Sequence, residues 1–140
     1  LTNAARAREL GVALEVRVSD RALSVRGDRD RLIQVFMNLL DNALRHTPEG
    51  GQVQVVVDRA GPSARIRVTD TGEGIPAGEV TTVFERFHRV DPSRVSGDGS
   101  GSGLGLTIAR AIVNDHGGRL VASSAGLGQG STFTLTLPAS

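Results

Sequence analysis

Residues 28–46 read DRDRLIQVFMNLLDNALRH. Leu32, Val35, Phe36, Leu39, Leu40 and Ala43 recur at three- and four-residue spacing, which predicts one long helix with a single apolar stripe. Asp28 is a suitable N-cap because its carboxylate can accept the free N–H groups of the first turn, and Thr47-Pro48-Glu49-Gly50-Gly51 ends the helix. Asn38 and Asn42 are four residues apart and share a face; Arg45 extends that face, away from the Leu32/Phe36/Leu39 stripe. Asparagine inside a helix costs roughly a few tenths of a kcal/mol against alanine, since its side chain competes for the backbone. Two of them here read either as a solvated face or as a site. An amide oxygen is a competent ligand for a hard cation such as Mg²⁺ beside water and phosphate oxygens, and Arg45 would add positive charge for phosphate.

On the N-terminal side of this helix, residues 2–10 have helical composition and stop at Gly11. Ala13–Val18 and Leu23–Val25 read as a hairpin around Ser19-Asp20-Arg21. On the other side, strands are predicted at Gln52–Asp58 and Ala64–Asp70, joined through Ala60-Gly61-Pro62-Ser63. Residues 71–102 are mostly loop, with one short helix near Glu79–Phe87. A second good helix runs from about Gly103 to His116 and stops at Gly117-Gly118. Strands Arg119–Ser124 and Thr132–Leu137 then flank a turn carrying Gly126, Gly128 and Gly130. This order predicts an α+β layer fold, one mixed sheet covered by helices. A loop of about thirty residues inside one domain is uncommon and is usually functional.

The bulk properties narrow the function classes. A chain of 140 residues makes a single domain, and 39% hydrophobic with 22% charged residues fits a globular protein. No apolar run approaches the ~20 residues that span a bilayer, and no signal-peptide pattern opens the chain, so no membrane contact is expected of this domain. Cysteine is absent, which excludes disulfides and thiolate metal sites. All 16 basic residues are Arg, so a P-loop, which needs Lys, is excluded. The Arg residues are spread among acids, the net charge is +1 and aromatics are 3%, which argues against a nucleic-acid platform. The first residue is Leu1 rather than Met, and a longer parent chain is expected; Pro138-Ala139-Ser140, after an alternating strand, reads as a C-terminus.

Two glycine-rich stretches carry further chemistry. Asp70-Thr71-Gly72-Glu73-Gly74-Ile75 follows a strand, and its glycines allow a tight turn and close approach to a ligand. A dinucleotide-binding turn is the competing reading, but Asp70 would repel a pyrophosphate and Pro76 interrupts the pattern. A carboxylate suits a donor instead, such as the exocyclic amine of adenine. The stretch from Gly97 to Leu106, GDGSGSGLGL, opens the second helix, where free N–H groups and the positive dipole end favour an anion. Gly/Ser runs are often linkers, yet this one leads straight into a helix that must pack. An adenine acceptor, a cation and phosphate face and a phosphate cradle together make the inventory of a Mg-ATP site.

These boxes, in this order, resemble the histidine kinase branch of the ATPase superfamily that also contains gyrase B and the mismatch-repair ATPases. Asn38–His46 resembles its asparagine box, Asp70–Ile75 the first glycine box, Phe84–Asp91 the phenylalanine box and start of the ATP lid, Gly101–Leu106 the second glycine box, and Gly130–Phe133 the last. The resemblance implies a two-layer α/β sandwich, with a mixed, mostly antiparallel sheet covered on one face by helices and a long ATP lid. It implies ATP and Mg²⁺ as cofactors. Asp70 would bind the adenine amine, with Thr132 assisting, Ile75 packing on the ring and His46 bordering the nucleotide. Asn42 would hold Mg²⁺ with Asn38 supporting it, and Arg45 and Arg89 would reach phosphate. Gly72 and Gly74 shape the turn, and Gly101, Ser102, Gly103, Leu104, Gly105 and Leu106 form the cradle. Asn38, Arg45 and Arg89 are the implied catalytic residues.

Superfamily members that hydrolyse ATP carry a Glu general base where this chain has Asn38, and an amide cannot accept a proton at neutral pH. A histidine acceptor is already a nucleophile and needs no such base. The family places that histidine on a dimerisation helix upstream, before an acidic residue and a Thr-Pro; His46, His88 and His116 do not fit that context. The expected partners are therefore a histidine-bearing dimerisation domain, in the same polypeptide or another, and a response regulator. The expected place is a cytoplasmic domain of a membrane-anchored parent. The isolated chain is expected to bind ATP without phosphorylating itself. A non-catalytic nucleotide-binding module and a gyrase-type ATPase are the alternatives.

Overall fold

In the computed structural model, which describes residues 2–19, 23–75 and 104–140, the chain runs through α1 (Thr2–Leu10), β1 (Ala13–Val18), α2 (Arg29–His46), β2 (Gln52–Ala60), β3 (Ser63–Asp70), α3 (Leu104–Asp115), β4 (Arg119–Ser123) and β5 (Ser131–Pro138). The expected short helix at Glu79–Phe87 and the lid lie outside the described residues. Helix α2 forms where its apolar spacing predicts. Asp28 caps it in extended conformation, its Oδ1 accepting the N–H groups of Asp30 at 3.1 Å and Arg31 at 3.2 Å. Asp28→Ala is expected to cost about 1 kcal/mol of stability, as loss of an N-cap acceptor does, read as a lower urea midpoint at unchanged m-value.

The strands form one sheet in the order β1-β2-β3-β5-β4. β1 pairs parallel to β2, and the other three pairings are antiparallel. This is the mixed, mostly antiparallel sheet expected. The hairpin expected between Ala13–Val18 and Leu23–Val25 does not form. α2 intervenes between β1 and β2 as a crossover helix, which is what parallel pairing of two strands requires. Val25 instead bridges Ala139 near the C-terminus. Alternating apolar residues mark a strand but carry no information about its partner.

Alternation within the strands sorts the two faces of the sheet. Val53, Val55, Ile66, Val68, Phe133 and Leu135 point to one face and are buried against Val35, Leu39, Ala43 and Leu44 of α2 and Ala109, Ile112 and Val113 of α3. Burying each such Leu, Ile or Phe side chain is worth about 1.5–3 kcal/mol, so this layer carries the fold. The opposite face is polar. Asp58 takes Arg65 in a two-pronged pair at 2.9 and 2.8 Å and Arg67 at 3.2 Å, and Thr69 and Thr132 exchange a hydroxyl contact at 3.2 Å. The architecture is the two-layer α/β sandwich expected.

α2 and α3 run in opposite directions and are joined by hydrogen bonds towards both ends. The backbone N–H of Asp28 donates to His116 Nε2 at 3.0 Å, and the Asn38 Nδ2 amide donates to Gly105 O at 3.0 Å. His116 Nδ1 lies 2.8 Å from Ile112 O, so it carries the proton there and Nε2 is the acceptor. This fixes the start of α3, where the second glycine box ends, beside the asparagines of α2.

Candidate functional site

Asp70 ends β3 on the helix-covered face, and its side chain follows from strand alternation: Ala64, Ile66 and Val68 are buried, and so is the fourth of that series, Asp70, at 3% exposure. A buried carboxylate must be hydrogen-bonded. Its Oδ1 accepts the Gly72 N–H at 2.8 Å and its Oδ2 accepts the Ser131 hydroxyl at 2.8 Å. Each oxygen keeps a further lone pair, so the oriented carboxylate can still accept from a ligand amine.

Ser131, rather than Thr132, meets Asp70. The register pairs Asp70 with Ser131 and Thr69 with Thr132, so Thr132 sits on the opposite face, against Thr69. Thr132, expected to assist Asp70, directs its hydroxyl to Thr69 instead of to the carboxylate, because adjacent residues of a strand point to opposite faces. Both threonines and Asp70, Ser124, Gly130 and Ser131 line an open cleft of about 340 Å³ at this end of the sheet.

The first glycine box lies between two backbones. The Glu73 N–H donates to His46 O at 3.2 Å on one side, while on the other the Gly128 N–H donates to Glu73 O at 2.8 Å and the Gly130 N–H to Gly72 O at 3.2 Å. Gly74 has φ 75°, and a Cβ there would fall 2.1 Å from Gly126 O. Gly130 has φ 71°, and a Cβ there would fall 2.1 Å from Asp70 O. These glycines are demanded both by the left-handed backbone and by contact. Gly72 packs under His46 O, and Ile75 is buried, ending the turn. His46 Nδ1 is 2.5 Å from Glu73 Oε1, which holds the imidazole at the rim of the turn.

The asparagine face of α2 is not simply solvated. Asn38 is half-buried and bonded to Gly105 of α3. Asn42 is half-buried, and its side chain has no hydrogen-bond partner among the described residues. An amide oxygen so placed is a hard donor open to a cation, and the described residues hold no cluster of three His, Cys, Asp or Glu side chains that would bind a metal by themselves. Arg45 is partly buried and donates from Nε to Asp41 Oδ2 at 3.0 Å, while Arg6 of α1 takes Asp41 Oδ1. This carboxylate, absent from the sequence reading, orders Arg45 and ties α1 to the asparagine helix. Gly105 and Leu106 lie in the first turn of α3, which opens at Leu104; Arg89, Gly101, Ser102 and Gly103 lie outside the described residues.

Partial burial raises the Asp41 pKa, but the hydrogen bond from Arg6 and the charge and hydrogen bond of Arg45 outweigh it and hold the carboxyl below its ordinary value. A pKa lowered by folding stabilises the native state above the unfolded value, near 4, and that stabilisation is lost as pH falls through the folded value. The wild-type urea midpoint is therefore expected to exceed that of Asp41→Asn at pH 7, the gap closing below about pH 4.

Comparison with known proteins agrees with this geometry. The family described as histidine kinase-, DNA gyrase B-, and HSP90-like ATPase matches residues 27–140. The chain is 46% identical to the sensor histidine kinase WalK of Bacillus subtilis over 121 residues, 85% of this chain but 20% of that protein, so it spans about a fifth of that relative's length. Among solved structures it superposes on the mycobacterial sensor histidine kinase MprB with a TM-score of 0.82 at 36% identity, covering 99% of this chain and 89% of that one. It also superposes on full-length ShkA in complex with AMPPNP with a TM-score of 0.84 at 30% identity, covering 99% of this chain and 28% of that one. No helix among the described residues is long and apolar enough to cross a membrane. This chain is a member of the histidine kinase-, DNA gyrase B- and HSP90-like ATPase family, on its histidine kinase branch.

Proposed function

We propose that residues 1–140 form one catalytic domain that binds Mg-ATP and transfers its γ-phosphoryl group to a histidine on a dimerisation helix, with a response regulator as the downstream acceptor. The observation that carries this reading is the buried Asp70 carboxylate, oriented by Gly72 and Ser131 and still able to accept an adenine amine. The nucleotide analogue held by the related ShkA supports ATP as the ligand.

In this reading Asp70 and Ser131 bind the adenine edge, Ile75 and His46 border the base, and the start of α3 at Gly105 and Leu106 cradles phosphate with Gly101, Ser102 and Gly103. Asn42 would hold Mg²⁺, which supplies charge neutralisation at the phosphates. Arg45, steered by Asp41, and Arg89 would add positive charge there. Asn38 bonds Gly105 and so keeps the cradle beside Asn42. An amide at position 38 provides no general base, which favours transfer to an intrinsically nucleophilic imidazole over hydrolysis. The work left to the protein is positioning and charge stabilisation.

The test is ATP titration by calorimetry with and without Mg²⁺, followed by transfer of labelled phosphate to a histidine-bearing dimerisation domain, supplied in the same polypeptide or as a separate one. Mg²⁺-dependent binding with label on histidine is expected. Binding without transfer would leave a nucleotide sensor, and fast steady phosphate release would make the domain an ATPase.

A further inference from the structure

We propose that Ser124, which nothing in the sequence reading singled out, is a positioning residue that holds the adenine end of the site in shape; the proposal rests on the nucleotide reading above. Ser124 follows β4 and is half-buried. A serine hydroxyl has one hydrogen to donate and two lone pairs to accept with. All three are used. The N–H groups of Ile75 and Gly126 each donate to Ser124 Oγ at 3.1 Å, and Oγ–H donates to Gly130 O at 2.6 Å, with Gly126 O a longer contact at 3.3 Å.

The three partners belong to two segments far apart in the chain, and both flank Asp70. Ile75 closes the first glycine turn, which begins at Asp70. Gly130 directly precedes Ser131, the hydroxyl that donates to Asp70 Oδ2. One hydroxyl thus ties the turn after Asp70 to the strand that supplies its partner. Ile75 and Gly130 are both buried, so removing the hydroxyl leaves their backbone groups without the partner that folding provides. The expected response is a shift of the Ile75 turn away from the Gly126–Gly130 loop. That shift would move the floor on which a base packs and the carboxylate that reads its amine. With its hydrogen and both lone pairs engaged by the backbone, the Ser124 hydroxyl acts on a bound base through these groups, so its effect falls on base recognition.

The experiment compares wild type, Ser124→Ala and Ser124→Cys, with circular dichroism to establish the folded state. ATP and GTP affinities are measured by competition against a fluorescent ATP analogue. Both variants are expected to bind ATP about tenfold more weakly, the loss of one to two buried hydrogen bonds, and the preference for ATP over GTP is expected to shrink by a similar factor. Lost stability alone would lower the fraction of competent protein and leave the ATP-to-GTP ratio unchanged. Asp28→Ala, a helix cap outside the site, is the control for that case and is expected to keep the wild-type ratio. A folded Ser124→Ala with wild-type affinity and wild-type ratio overturns the proposal. If the alanine variant does not fold, Ser124→Cys decides on the same readout, because it keeps the volume with a weak donor and acceptor. Absence of any adenine preference in the wild-type protein would be a failure of the nucleotide reading itself and is seen before any variant is made.

Discussion

Asp70→Asn is expected to fold and to lose ATP affinity by about a hundredfold, because it replaces an acceptor by a donor at the carboxylate proposed to read the adenine amine. In the wild type one carboxylate oxygen is occupied by the Gly72 N–H and the other by the Ser131 hydroxyl. The asparagine oxygen can keep the Gly72 bond. Its NH₂ then faces Ser131, whose hydroxyl can turn to accept, so the buried network stays satisfied. What the amide cannot do is accept from a second amine on the side it now presents a donor. Asp70→Ala is the harsher change, since it strands the Gly72 N–H and the Ser131 hydroxyl as well. That variant is expected to lose binding altogether and to melt earlier, each stranded group costing about 1–3 kcal/mol. Calorimetric titration of both variants beside thermal melting separates the effects. Wild-type ATP affinity in a folded Asp70→Asn would remove Asp70 from the adenine site.

Gly130→Ala is expected to destabilise the fold by roughly 3 kcal/mol or more and to take nucleotide binding with it. Two terms add. The backbone at φ 71° disfavours any side chain, by about 1–2 kcal/mol. The new Cβ would also lie 2.1 Å from Asp70 O, a backbone atom of β3 that cannot swing aside as a flexible side chain could. Relief requires β5 to part from β3 at the Asp70–Ser131 pair, which is the pair that orients the carboxylate. Gly128→Ala is the matched comparison. It has φ 79° with nothing within 4 Å of its added Cβ, so only the conformational term applies. Urea denaturation of the two variants should therefore differ by about 2 kcal/mol, and ATP binding should survive only in Gly128→Ala. Equal losses would show that contact with β3 plays no part.

Much of the fold was legible because it is written in local spacing. The 3.6-residue period of Leu32 to Ala43 marked α2, Asp28 marked its start, and Gly117-Gly118 marked the end of α3. The glycine turn after Asp70 was legible from residue chemistry, since glycines after a strand imply close backbone approach. The contact of Ser131 with Asp70 was also contained in the pattern: Phe133, Leu135 and Leu137 are the inward series, and continuing it backwards reaches Ser131. The asparagine face stayed open between solvent and site because spacing shows which residues share a face but not what that face meets.

The sequence by itself determined the three helices and five strands of the described residues to within a few residues, and the chemical types brought to the site. Tertiary structure alone decided the parallel pairing of β1 with β2, the Asn38–Gly105 bond, the bridging of Arg6 and Arg45 by Asp41, and the place of Ser124 between two glycine segments. The physical reason is range. Helical period and turn chemistry act over a few residues, whereas these contacts join positions 35 residues apart for Arg6 and Asp41 and 49 apart for Ile75 and Ser124. Such neighbours are set by how the apolar faces of distant elements close on one core, and no short stretch of sequence specifies them.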